Sequence, residues 1–169
     1  MSLIKIRKAV MEELEEIVDI YKSVIVKMNR DGIHQWDETY PNRDVLREDI
    51  LKDDMLIGEV NGEIASILVV NKEYDADYNK VNWISKSSDF IIIHRLCVNP
   101  VFQGLGIGKK VMNMIEEKAI KNHIQSIRLD TFELNTYALR MYKDLGYEKV
   151  GEANWRKGKF IILEKILFK

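Results

Sequence analysis

One cysteine, Cys97, is all that this chain of 169 residues contains, so no disulfide forms within it and a fold stapled by bridges is excluded. A reducing compartment follows from that usage, and the cytoplasm is the expected location. Long apolar runs are missing too. None approaches the roughly 20 residues that a membrane-spanning helix needs, and the N-terminal stretch has neither the apolar core nor the small-residue cleavage site of a secretory signal. Charge of one sign is not in excess: 26 basic and 27 acidic residues give a formal net charge of -1. Bulk attraction to nucleic acid or to an anionic membrane is therefore not expected, and any ligand charge has to be met locally. Internal repeats and low-complexity linkers are absent as well. What remains is 46% hydrophobic, enough for one domain with a real core and too short for two ordinary ones. A single domain over residues 1–169 is the expectation, with homodimerisation left open.

Taken in order, Leu3, Ile4 and Ile6 alternate partly with Lys5 and Arg7, which suits a short strand. From Ala9 to Asn29 the period turns helical. Leu14, Ile17, Val18, Tyr21, Ile25 and Met28 recur at steps of three and four, and Asp31-Gly32 ends the run. The segment G-I-H-Q-W-D-E-T-Y-P is a loop holding Trp36 and Tyr40, aromatics that either pack down as lids on the core or wall a ligand pocket. Asn42 to Leu51 resembles a second helix. Met55–Val60 and Glu63–Val70 read as strands joined by Asn61-Gly62, the strongest short hairpin signal. Asn71 to Asp89 is a polar excursion around Tyr74, Tyr78 and Trp83, whose acidic residues either attract a cationic substrate or simply face water.

Phe90 to Val98 is a nine-residue, largely apolar run suited to a buried strand, and Pro100 stops it. A helix follows, with Leu105, Met112, Ile115 and Ala119 on its apolar side. Ser126 to Phe132 alternates as another strand. Asn135 suits a helix N-cap, Ala138 to Leu145 a helix, and Gly146 its terminating glycine. Tyr147–Gly151 and Lys159–Phe168 supply two last strands, with Asn154–Gly158 between them. The order β-α-α-β-β-β-α-β-α-β-β argues an α/β class, a central mixed sheet of about seven strands flanked by about four helices on both faces.

Gly104, Gly106 and Gly108 alternate at the strand-to-helix turn. Glycines at this spacing leave backbone N–H donors uncovered, and a helix N-terminus adds the positive end of its dipole, so phosphate is a fitting guest beside Lys109 and Lys110. The alternative is a close-packed turn that needs glycine for steric reasons. A P-loop is excluded, because it requires a glycine, four residues, then Gly-Lys and Ser or Thr. The dinucleotide fingerprint is excluded too, since it wants glycine where Lys109 stands.

Gln103, Gly106 and Gly108 instead give Q-x-x-G-x-G, which resembles the pyrophosphate-binding signature of the GNAT superfamily of N-acetyltransferases. The segment N-T-Y-A-L-R-M-Y-K-D-L-G from Asn135 to Gly146 extends that resemblance, with Asn135, Ala138 and Tyr142 sharing one helix face. The resemblance implies acetyl-coenzyme A (acetyl-CoA) as cofactor. Its pyrophosphate would lie on Gln103, Gly104, Gly106, Ile107, Gly108 and Lys109, and its pantetheine arm along Leu96, Cys97 and Val98 and against Asn135 and Ala138. Tyr142 would be the acid that protonates the departing thiolate. Chemistry supports that role independently: a phenol of pKa about 10 is a plausible acid beside a thiol of about 8.5. The other reading of Tyr142 is a packed ring bonding a backbone group. The G-I-H-Q-W and Tyr40-Pro41 segment resembles members in which this loop borders the acceptor, which makes Trp36 and Tyr40 substrate-binding candidates.

A lone Cys with a His invites a nucleophile hypothesis, but three residues apart on a regular strand Cys97 and His94 point to opposite faces. A bulge in the strand would spoil that parity. Cys97 is read as a small core residue. His94 is either a satisfied strand histidine or a polar group lining the acceptor pocket that takes up the amine proton. His34 and His123 show no ligand spacing with it, so no metal is expected. The function implied is transfer of acetyl from acetyl-CoA to a primary amine, of a small molecule in the first reading. A protein N-terminus or lysine is the alternative acceptor, and a non-catalytic acyl-CoA-binding module the alternative of another class.

Overall fold

A computed structural model describes residues 3–168 of the chain. Its elements come in the expected order: β1 Ile4–Lys8, α1 Leu14–Arg30, α2 Arg43–Leu51, β2 Met55–Val60, β3 Glu63–Asn71, β4 Phe90–Val98, α3 Ile107–Lys121, β5 Ser126–Phe132, α4 Thr136–Asp144, β6 Glu148–Trp155 and β7 Gly158–Ile166. The seven strands lie in one mixed sheet in the order β1-β2-β3-β4-β5-β7-β6. The chain divides into two compact units. The first takes in residues up to Val70 and Arg95–Val111, and the second Asn71–His94 and Met112 onward.

In the first unit, β1 and β3 each pair antiparallel with β2. The β2–β3 turn has positive φ at both Asn61 (52°) and Gly62 (80°), the conformation that a two-residue hairpin connection requires. Helix α1 buries Leu14, Ile17, Val18, Tyr21 and Val24, which fall on one stripe, against Leu46 and Ile50 of α2 and Met55, Ile57, Ile64, Ile67 and Val69 of the strands. It ends at Gly32 (φ 79°), with the Ile33 N–H donating to Met28 O and the Gly32 N–H to Asn29 O, a Schellman cap. Gly58 in β2 is required for close approach: a Cβ there would stand 2.2 Å from Ser66 Oγ and 3.1 Å from Val111 Cγ2. Its absence lets α3 settle against the hairpin at Val111.

In the second unit, β5 pairs in parallel with β4 over Phe90–Ile92 against Ser126–Arg128, and antiparallel with β7 along its whole length. Here the sequence reading needs one correction. Strand β6 runs on to Trp155, and only Arg156 and Lys157 connect it to β7, where a longer loop over Asn154–Gly158 was expected. The reason is packing: the Trp155 ring lies 5.0 Å from Phe160 and its indole N–H donates to Asp77 at 2.7 Å. The Asn71–Asp89 excursion, in turn, is docked at its centre. Tyr78 is buried with Ile92, Ala153 and Ile162, and Trp83 packs on that cluster. The wholly buried Glu164 carboxylate accepts the N–H groups of Ile84 (2.7 Å) and Ser85 (3.2 Å). Arg128 stacks between Trp83 (4.1 Å) and Phe90 (3.9 Å).

Candidate functional site

The glycine loop lies in the first unit, between β4 and α3. The Asn99 side chain accepts the Val101 N–H at 3.3 Å to start a short 3₁₀ turn, and the Gln103 amide donates to Val98 O at 3.1 Å, which ties the loop back to the end of the strand. Gly104 (φ 82°) and Gly106 (φ 73°) then take left-handed conformations, and a Cβ on either would meet nothing within 4 Å. These glycines therefore serve the backbone and leave open space; they are not forced by a close neighbour. Helix α3 begins at Ile107, and Lys110 donates its first bond, to Gly106 O at 3.1 Å. The N–H groups of Ile107, Gly108 and Lys109 belong to the turn that has no partner inside the helix. Leu105, assigned to the apolar face of this helix from its spacing, precedes it and is exposed, because the left-handed Gly106 turns the chain before the helix starts. Its buried apolar residues are Ile107, Val111, Met112, Ile115 and Ala119, and Glu116 is buried beside them.

The second half of β4 carries an irregularity. Arg95 has φ 51°, a left-handed residue inside a strand, so the alternation that separates His94 from Cys97 is broken between them. Cys97 sits in the core with Tyr21 and Trp36, and burial pushes its thiol up to about 12. A thiol held protonated is a poor nucleophile. The Arg95 carbonyl accepts the Tyr21 hydroxyl at 2.6 Å, and its guanidinium meets Asp49 of α2 at 2.6 and 2.9 Å and the Tyr40 hydroxyl at 2.8 Å. The loop before α2 thus reaches β4 through Tyr40, a residue 39% exposed. Trp36 is buried, its ring 5.7 Å from Tyr21 at a tilt of 57°. Leu96 and Val98 flank Cys97, half-buried.

The second unit holds the other expected residues. Asn135 caps α4 by accepting the Ala138 N–H at 3.1 Å, and the helix closes at Gly146 (φ 93°), with Tyr147 donating to Tyr142 O at 2.9 Å and Gly146 to Lys143 O at 3.0 Å. Tyr142 is buried, its ring 5.6 Å from Tyr147 in an edge-on arrangement. Burial first, and then the Asp130 carboxylate, push its phenol well above the ordinary value. Unlike the hydroxyls of Tyr21 and Tyr78, that of Tyr142 makes no hydrogen bond among the described residues. Tyr78 donates to Asp130 at 2.6 Å. His94 is half-buried, with Nε2 2.8 Å from Asn71 Oδ1.

Arg95, Asp49, Asn71 and Asp130 escaped the sequence reading. Arg95 had a signal, as one of two charge-bearing side chains in an otherwise apolar strand, and Asp49 had one beside Leu46 and Ile50 on a helix face. Asn71 and Asp130 stand in ordinary polar positions and gave none. Among the described residues no group of three His, Cys, Asp or Glu is placed to hold a metal ion. Among them, too, no helix is long and apolar enough to cross a membrane.

The model of the acetyltransferase (GNAT) family matches residues 13–147. Similar solved structures include a GNAT-family acetyltransferase from Streptococcus agalactiae, with 23% identity and a TM-score of 0.87 over 98% of this chain and 96% of that one. Another from Listeria monocytogenes has 23% identity and a TM-score of 0.76 over 96% and 94%. The yncA protein of Salmonella typhimurium, solved with its cofactor acetyl-CoA, has 16% identity and a TM-score of 0.71 over 99% and 96%. At these identities the likeness is one of fold.

Proposed function

Because the chain belongs to the acetyltransferase (GNAT) family, we propose that it moves acetyl from acetyl-CoA to a primary amine of a small molecule in the cytoplasm, with Tyr142 as general acid. As a family member it is an acetyl-CoA-dependent N-acetyltransferase. The observation that carries the cofactor assignment onto particular residues is the Gly104–Gly106 turn, left-handed and open where side chains would stand, directly ahead of the first turn of α3. A diphosphate fits such a cradle, because the N–H groups of Ile107, Gly108 and Lys109 and the charge of Lys109 all favour an anion. Gln103 holds the cradle to β4. The polar backbone of Leu96, Cys97 and Val98 suits the amides of a pantetheine arm. Asn135 caps its helix through Oδ1, and its Nδ2 is the donor that a pantetheine carbonyl would take, with the small Ala138 allowing close approach.

When bound, acetyl-CoA supplies an activated acetyl thioester and a thiolate leaving group. The residues handle the protons. Tyr142 stays protonated through the neutral range, since burial and Asp130 both oppose its ionisation, and so it keeps the O–H that a departing sulfur needs. An amine of pKa about 10.4 arrives as an ammonium ion, and His94 removes its proton. Tyr40, exposed and held by Arg95, offers a ring to the alkyl part of the acceptor, with Trp36 fixing the loop from the core side. The family model draws on residues of both compact units, which supports their working as one domain over residues 1–169. The reducing location follows from the single cysteine.

The test is a thiol-release screen with acetyl-CoA against polyamines, amino acids, aminoglycosides and peptides. Turnover with a small amine supports the reading. Turnover with peptides alone moves the acceptor to protein, and tight acetyl-CoA binding with no acetylation of any amine overturns catalysis.

A further inference from the structure

Arg95 takes a left-handed backbone (φ 51°) inside β4, a conformation disfavoured for any residue that has a Cβ. Its carbonyl is held by the Tyr21 hydroxyl at 2.6 Å, and its side chain by two further residues. A guanidinium carries five N–H groups, two on each terminal nitrogen and one on Nε. Asp49 takes the Nε hydrogen at 2.9 Å and one Nη2 hydrogen at 2.6 Å, which closes that edge of the planar fork. The Tyr40 hydroxyl oxygen accepts one Nη1 hydrogen at 2.8 Å. One hydrogen on Nη1 and one on Nη2 are left, both off the edge that Asp49 closes, and neither has an acceptor among the described residues. Tyr40 adds a third donor. Its oxygen receives from Arg95, so its own hydrogen is directed away from that bond, again with no acceptor among the described residues.

On the side away from Asp49 the pair thus presents N–H and O–H donors around a cation, the complement of a carboxylate. Tyr40 on that side is exposed, and Arg95 directly precedes Leu96, where the strand stretch proposed for the pantetheine arm begins. We infer that Arg95 and Tyr40 form a carboxylate subsite, and that the acceptor is a small molecule with a carboxylate beside its primary amine, as in an amino acid. The inference rests on the reading of Tyr40 at the acceptor. Arg95 is then a specificity-determining residue, preorganised by bonds to its backbone and to one edge of its fork. Neither a plain polyamine nor a lysine within a protein has an α-carboxylate, so the subsite favours a free amino acid over both.

The experiment is a competition for limiting acetyl-CoA. Each amino acid that the screen finds is mixed with the amine that lacks only its carboxylate, such as leucine with isopentylamine or phenylalanine with phenethylamine. The ratio of acetylated products gives the ratio of kcat/KM values, and that ratio is independent of how much enzyme is folded. Wild type should favour the carboxylate-bearing member by about tenfold or more, the scale of one hydrogen bond to a charged group. Tyr40→Phe keeps the ring and removes the O–H, while Arg95→Lys keeps a charge for Asp49 and removes the fork. Each should lower the preference by about tenfold. The intrinsic reactivity of the two amines cancels, because it is the same for every form of the enzyme.

A wild type that acetylates only peptides or amines without a carboxylate overturns the subsite and leaves acetyl transfer standing. A ratio unchanged in Tyr40→Phe, or in a folded Arg95→Lys, overturns it as well, since a mere wall or a loss of stability lowers both products together. If Arg95→Lys does not fold, Tyr40→Phe decides. Acetylation of no amine at all removes the transferase reading and the subsite with it.

Discussion

The Arg95 guanidinium grips the Asp49 carboxylate through two charged hydrogen bonds, Nε to Oδ2 at 2.9 Å and Nη2 to Oδ1 at 2.6 Å, and the two side chains are only 12% and 8% exposed. This pair joins α2 to the irregular point of β4, and the remaining guanidinium nitrogen reaches Tyr40. Removing one member strands a charge away from water, which costs about 3–5 kcal/mol. Asp49→Ala should lose that much unfolding free energy in urea. The double variant Asp49→Leu, Arg95→Met should lose clearly less, since it leaves no orphaned charge. Equal losses in the two would show that the pair acts by packing and not by charge.

Tyr142→Phe removes one hydroxyl and keeps the ring that packs on Tyr147. On the proposed role, kcat falls by about 10²–10⁴. The dissociation constant of acetyl-CoA and the thermal midpoint stay near wild type, because that hydroxyl holds no hydrogen bond among the described residues. Wild-type kcat in this variant would hand the acid role to water or another group.

The turn geometry at Gly106 gives a paired test. Valine at φ 73° is strained by about 1–3 kcal/mol whatever surrounds it. Gly32, at φ 79° and equally open, supplies the control. Both Gly106→Val and Gly32→Val should melt earlier. Only Gly106→Val should lose the rise in midpoint that acetyl-CoA gives a protein binding it in the native state. If the two variants respond to acetyl-CoA alike, the loop does not hold its pyrophosphate.

Local rules made most of this architecture readable. Asn61-Gly62 announced the hairpin, and Asn135 and Gly146 the two ends of α4, because caps and tight turns depend on residues adjacent in sequence. The matching order of all eleven elements follows from the same cause. Leu105 was misplaced since periodicity extends a helix through any residue that keeps its phase, and only the backbone angle of Gly106 decides otherwise. Asn154 and Trp155 looked like a loop on composition, while a long-range bond to Asp77 and the Phe160 ring make them strand. The least legible parts of the site are Asn71 with His94 and Arg95 with Asp49, whose partners lie 23 and 46 residues apart. No periodicity within one element encodes such pairs.

Trp36 and Tyr40 share one loop and have different forecasts. Trp36 is buried against Tyr21, so Trp36→Ala should cost about 3–5 kcal/mol. Tyr40→Ala removes an exposed ring, and a lost cation–aromatic contact of about 0.5–2 kcal/mol corresponds to a rise of about 2- to 30-fold in KM for the acceptor. Acetyl-CoA affinity should not change in Tyr40→Ala. Both Michaelis constants and the thermal midpoint decide the matter: a pure stability loss at Tyr40 refutes its place at the acceptor.

Alkaline pH should unfold this protein progressively, and Cys97 should start it. Burial holds the folded thiol up to about 12, against an ordinary value of about 8.5 in an unfolded chain. Below about pH 8.5 both states keep the proton, and the group's contribution to stability is fully present. Between about 8.5 and 12 the unfolded chain ionises while the folded chain does not, so the unfolded state binds fewer protons and stability falls by about 1.4 kcal/mol per pH unit. The buried hydroxyls of Tyr21, Tyr78, Tyr142 and Tyr147 are shifted upward in the same sense, with burial as the largest cause in each. Their ordinary pKa of about 10 makes them join later. The window from about pH 8.5 to 10 therefore belongs mainly to Cys97. Urea unfolding of wild type and Cys97→Ala at intervals across it should show the wild type losing about 2 kcal/mol more than the variant. Iodoacetamide should also label the native thiol at pH 8 far more slowly than the unfolded one, as thiolate is the reactive form. Parallel stability curves for the two proteins, or rapid labelling of the native state, would mean that Cys97 is not held protonated in the core.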